Sequence, residues 1–124
     1  MTVWLLVMVG AAVGAPCRWL LDQAIQRRAQ GVLPWGTMTV NVLGSLLLGM
    51  LLALSLEPDT QTRLLAVAGT GFCGAFTTFS TFMYETVVLT EEGSTAVGLA
   101  NVGLSLVAGL AAAFTGWWLV TSIT

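Results

Sequence analysis

Charge is what this sequence has least of. Its 124 residues include six acids, four arginines, no lysine and no histidine, so charged side chains make up only 8%. A soluble domain carries about 25%, and this set cannot solvate the surface of a globule of this length. The missing histidine removes the usual general base and the commonest metal ligand. With no paired carboxylates and no activated nucleophile either, the chain reads as not an enzyme. The net charge of −2 says nothing about partners, but the lack of any basic stripe argues against nucleic acid. Cysteine is equally scarce. Cys17 and Cys73 both fall in apolar runs with no disulfide spacing pattern, and they read as free buried thiols.

What is present is apolar and comes in long pieces. Thr37 to Leu56 is 20 residues without a charge, Leu64 to Tyr84 is 21, and Gly93 to Thr124 is 32. Met1 to Cys17 adds 17, and the apolar character continues past Arg18 through Leu21. Roughly 20 apolar residues make a helix that crosses a bilayer core of about 30 Å. The expected fold is an all-α membrane protein with lipid as its surroundings. It is a single four-helix transmembrane domain over residues 1–124, with spans at about 3–24, 37–56, 63–90 and 95–122. No Lys or Arg precedes the first span, Pro16-Cys17 is a poor lipoprotein cleavage site, and the segment is expected to be retained rather than removed as a signal peptide.

Local signals refine the spans. Gly10 and Gly14 form a GxxxG pair that lets a neighbouring helix approach, and Pro16 predicts a kink. Residues 25–36 read as a polar connector broken by Gly31, Pro34 and Gly36. Glu57-Pro58-Asp59 predicts a stop and a short loop, and Glu91-Glu92-Gly93-Ser94 a tight turn. In a four-span chain Arg27 and Arg28 lie on one side and Arg63 on the other. That difference of one arginine is a weak orientation signal, compatible with insertion both ways up or with one orientation set by Arg27 and Arg28.

The third span carries the chemistry. From Gly69 to Phe82 it holds Gly69, Gly71 and Gly74, the hydroxyls of Thr77, Thr78, Ser80 and Thr81, and Phe72, Phe76, Phe79 and Phe82. Gly and Thr are poor helix formers. A backbone break at membrane depth is tolerated only where it is buried in protein or lines a cavity, and exposed carbonyls at such breaks face cations in transporters. Residues 74–78 are therefore a candidate interrupted helix. Gly69 to Gly74 also matches G-x-G-x-x-G, but a dinucleotide site needs a strand before it in a soluble unit. The four phenylalanines recur on one helical face. They serve either interhelical packing or, through electropositive ring edges, a small anion among the hydroxyls.

Other polar residues within the spans have two readings each. Asn41 is the amide in the middle of the second span, either an interhelical hydrogen bond or a donor to an anion. Arg18 either pairs with Asp22 or snorkels, or sets a positive charge at a pore mouth. Glu85 is an intramembrane carboxylate near a helix end, functional or simply solvated. Asn101 and Ser105 lie one turn apart in the fourth span.

Two stretches carry a resemblance. Gly36-Thr37-Met38-Thr39-Val40-Asn41-Val42-Leu43-Gly44, and Gly71 through Gly74, Ala75 and Thr77 to Phe82, are similar to the signature stretches of the bacterial fluoride channel family, also called CrcB or Fluc. Arg18-Trp19 and Glu85 also fall where that family carries them, and the resemblance covers the whole chain. It implies a fluoride-selective channel of the inner (plasma) membrane, working as an antiparallel dual-topology homodimer with two pores. It implies a structural sodium ion held by backbone carbonyls of Gly74 and Thr77 from both copies. It implies pore roles for Phe79, Phe82 and Asn41, with Thr37, Ser80, Thr81, Ser105 and Glu85 along the path and Arg18 at its mouth. The chain departs from the family in carrying Ala75 where a second glycine is usual, and Gly109 and Ala113 where polar side chains are frequent.

Two other classes compete. A small dual-topology multidrug exporter needs an embedded acid in its first span, where this chain has only Asp22 at the end, beside Arg18. A non-conducting scaffold has no use for the Phe/Thr segment.

Overall fold

The computed structural model describes residues 2–124. Helix α1 spans Thr2–Arg28 and α2 spans Trp35–Ala53. The third rod is composite. It begins as α3 (Pro58–Leu64), widens into a π-helical segment (Leu65–Cys73), tightens to α4 (Gly74–Phe76), resumes as α5 (Ser80–Val88) and ends in a second π segment (Leu89–Gly93). Helix α6 closes the chain over Thr95–Ile123. Four rods are long and apolar enough to cross a bilayer, and the protein is an all-α, multi-pass membrane protein.

The links follow from their residues. Gly31 has φ 133°, a left-handed value that glycine adopts without a Cβ clash, and it turns the chain between α1 and α2. Pro58, expected to end the second span, starts the next helix instead. It sits at the first helical position, where its missing N–H costs nothing. The preceding Glu57 is held extended, as a residue before proline must be, and its carboxylate accepts the Thr60 N–H. Consequently α2 stops at Ala53 rather than near Leu56, and Leu54 is already extended. Ser94 caps α6 by accepting the Val97 N–H. The turn before it is a widened helical one over Leu89–Gly93 rather than a tight one. Pro16 lies inside α1 without ending it.

Small residues set the packing, as expected where lipid is as apolar as leucine and close backbone approach supplies the attraction. A Cβ on Gly10 would strike the Val67 carbonyl, and one on Gly14 the Phe72 carbonyl. These two glycines let α1 lie directly on the Leu65–Cys73 segment. On the other side, Gly49 and Gly116 bring α2 and α6 together through the Ala113 and Leu46 carbonyls. Large side chains such as Trp4, Val107 and Leu110 lie outside these seams, exposed on the single chain. Gly14→Ile should overpack the α1 seam by about 1–3 kcal/mol. The expected result is a clear loss of monodisperse protein on size-exclusion chromatography, whereas Gly103→Ala, where a Cβ meets nothing, should elute as wild type.

Candidate ion-conduction site

The polar groups of the site converge on three residues of the third rod. Helical geometry stops at Phe76: Thr77 is extended (φ −84°, ψ 164°), and α5 begins at Ser80. Four of the backbone groups released there find a side chain from another helix or from their own turn. Asn41 of α2 meets Thr78 twice. Its Nδ2 donates to the Thr78 carbonyl at 3.0 Å, and its Oδ1 accepts the Thr78 N–H at 2.8 Å. Arg18 of α1 donates from Nη1 to the Thr77 carbonyl at 3.4 Å. The Thr81 N–H donates to Thr78 Oγ1 at 3.2 Å, which in turn donates to Thr81 Oγ1 at 3.1 Å. Gly44 permits this approach of α2, because any Cβ there would collide with the Thr77 side-chain methyl.

Two of these bonds have a further consequence. In a continuous helix the Thr78 N–H would serve the Gly74 carbonyl and the Thr81 N–H the Thr77 carbonyl. Both donors are diverted, to Asn41 and to Thr78 Oγ1. The Gly74 and Thr77 carbonyls thus lose their helical donors. No cluster of three or more His, Cys, Asp or Glu side chains that could hold a metal occurs among the described residues. A cation here would rest on backbone oxygens. Arg18 takes one of the two lone-pair positions at the Thr77 oxygen and leaves the other.

Two cavities flank the segment and share Thr78. The larger, an open groove of about 400 Å³, is lined by Asn41, Gly74, Thr77, Phe79, Phe82 and Ser105, with Ser45 and other small or apolar neighbours and no charged residue. The smaller, about 140 Å³, is lined by Arg18, Trp19, Asp22, Thr37, Val40, Thr78 and Thr81. The phenylalanine stripe divides at the same point. Phe72 and Phe76 stack at 5.3 Å, and Phe76 is buried. Phe79 and Phe82 form a tilted pair at 6.0 Å, with Phe79 74% exposed on the groove.

The family follows from comparison with known proteins. The sequence profile described as "CrcB-like protein, Camphor Resistance (CrcB)" matches residues 5–117. A Streptomyces avermitilis protein named "Fluoride-specific ion channel FluC 1" is 47% identical over 120 residues, 97% of each chain. A protein of the same name from Frankia casuarinae is 47% identical over 91% of this chain and 92% of its own. "Fluoride-specific ion channel FluC" of Leptospira interrogans is 42% identical over 94% and 92%. The chain belongs to the CrcB family.

Within this family member the expected site residues fall into groups. Phe79, Phe82, Asn41, Ser105, Gly74 and Thr77 line the groove. Arg18, Thr37 and Thr81 line the smaller cavity. Ser80 and Glu85 line neither. Ser80 Oγ lies 3.5 Å from Thr78 Oγ1, and Glu85 accepts a 2.9 Å bond from Thr37 Oγ1. Arg18 and Asp22, four residues apart, make no ion pair; the ion pair among the described residues is Arg63–Asp59 at 2.8 Å. Asn101 does not join Ser105. It is fully buried and donates to Thr86 Oγ1 at 2.9 Å. Of the polar groove residues, Ser45 was not named from sequence, and Thr78 only as one hydroxyl of four. Ser45 lies one turn from Asn41 on the same face of α2, a spacing that could have flagged it. Thr78 stands among four hydroxyls, and nothing in the sequence marks it as the one between both cavities.

Proposed function

We propose that this chain is a fluoride channel in which two copies, inserted in opposite orientations, cover each other's grooves and enclose two pores. The observation that carries this reading is the groove itself. It brings Phe79 and Phe82 together with amide and hydroxyl donors and keeps fixed charge out of its lining. Fluoride is small and strongly hydrated, so it enters only where oriented donors replace its water. A pore without a fixed cation in contact with the ion can also release it. The relatives' shared name supports fluoride as the ion.

The polar residues have distinct parts in this reading. Arg18 in the smaller cavity draws anions toward the segment without sitting in the groove. Thr81 and Ser105 offer hydroxyl donors, and Ser80 adds one at the exposed end. The Thr37 proton is spent on Glu85, so Glu85 orients Thr37 and governs whether that hydroxyl turns to an anion. The Gly74 and Thr77 carbonyls, released from their helical donors and with Arg18 on only one lone pair of the Thr77 oxygen, would hold a sodium ion, two from each copy. Bound there, sodium supplies a fixed positive charge that ties the two copies together.

The experiment is done in cells. In bacteria deprived of their own fluoride export, expression of this chain should restore growth in fluoride and lower intracellular fluoride. A folded, membrane-inserted protein that changes neither would count against the reading.

Opposite insertion makes its own prediction. Arg27 and Arg28 at one end are set against Arg63 at the other, a difference of one arginine and so a weak instruction for orientation. Reporters fused to the C-terminus should therefore appear on both sides of the membrane. Two lysines added in the 54–57 link should shift the population to one side and reduce activity. A one-sided wild-type population would refute dual insertion.

A further inference from the structure

We infer that Asn41 is a positioning residue for the cation site, because its carboxamide holds Thr78 out of the helix and so keeps the Gly74 carbonyl free. The inference rests on the sodium reading proposed above. Asn41 matches Thr78 as a neighbouring β-strand would, one acceptor to the N–H at 2.8 Å and one donor to the carbonyl at 3.0 Å. The first bond is the decisive one. The Thr78 N–H is the donor that a continuous helix would return to Gly74. While Asn41 Oδ1 holds it, the Gly74 oxygen lacks its helical donor beside the groove, where a Cβ on Gly74 would meet nothing within 4 Å. The second bond caps the Thr78 carbonyl, which would otherwise be left without a partner at membrane depth, a costly position. Asn41 has two N–H donors, so one remains for the groove. The same side chain can therefore set the cation cage on one face and offer a donor to an anion on the other.

Asn41→Asp and Asn41→Ala separate these parts. Aspartate keeps an acceptor of the same reach for the Thr78 N–H but places negative charge beside the groove. Alanine lets the N–H fall back on Gly74. A cation must then displace that hydrogen bond, worth about 0.5–1.5 kcal/mol net, which raises the sodium concentration needed by roughly tenfold at most. Two measurements on purified protein in detergent read the outcome. In the first, sodium is titrated against N-methyl-D-glucamine and thermal stability is followed. The midpoint should rise severalfold in Asn41→Ala and not rise in Asn41→Asp, although both lose fluoride flux. In the second, the carbonyl ¹³C shift of labelled Gly74 is recorded without sodium. It should move toward the hydrogen-bonded helical value in Asn41→Ala and stay in place in Asn41→Asp. An unchanged Gly74 shift in Asn41→Ala overturns the clamp, whatever sodium does. An unchanged sodium midpoint with lost flux makes Asn41 a pore contact only. A wild type stabilised equally by either cation overturns the sodium reading itself, and the Gly74 shift then still decides the clamp.

Discussion

Phe79→Ile and Phe82→Ile should each lower fluoride flux per folded protein by roughly ten- to a hundredfold, the worth of one hydrogen bond to a charged group. Isoleucine keeps apolar bulk but has no electropositive edge to offer an anion. Phe79 is 74% exposed in the single subunit, and its tilted partner Phe82 shares the same groove. Neither ring is buried as Phe76 is, so little of the subunit's packing depends on them. Phe76→Ile is the contrasting variant. It disturbs the stacked pair with Phe72, and its effect should fall on stability before flux. Liposome efflux gives the rate and size-exclusion elution the folding control. Full fluoride flux in both groove variants would reduce the ring pair to packing.

Gly74→Leu should abolish the dimer, and flux with it, while leaving the subunit folded. A Cβ built on Gly74 meets nothing within 4 Å in the single chain. The first carbon of a leucine there therefore meets no neighbour, and in a helical turn leucine is a better residue than glycine. It does fill the groove that a second copy is proposed to cover. Light scattering coupled to size exclusion should give the monomer mass with unchanged helical circular dichroism. A Gly74→Leu protein that remains dimeric and conducts would mean that the groove is not the contact face.

The four spans were legible because uncharged length is a property of composition, and the bilayer sets the length required. The unusual character of residues 69–82 was legible for the same kind of reason, since Gly and Thr in mid-span cannot be explained by apolar packing. Partner choice was not legible. Arg18 has Asp22 one turn away, the local pairing that sequence spacing favours, yet its guanidinium reaches a carbonyl 59 residues distant. Asn41 is conspicuous as a mid-membrane amide, but that its target is the backbone of Thr78, 37 residues on, depends on how α2 packs against the third rod. The phenylalanine stripe looked uniform because a period of 3.6 assumes one helix. The turn at residues 77–79 sends two rings into packing and two into the groove. The stop of α2 at Ala53 was missed for a local reason: Pro58 was read as an end when it is a beginning.

The most direct measurement is anion efflux from liposomes containing the purified wild-type chain, loaded in parallel with fluoride or chloride. An uncharged groove of ring edges and small donors, able to replace the water around a compact anion, predicts rapid fluoride efflux and little chloride efflux above that of protein-free vesicles. Folded protein that releases no fluoride, or releases chloride just as fast, would contradict the account.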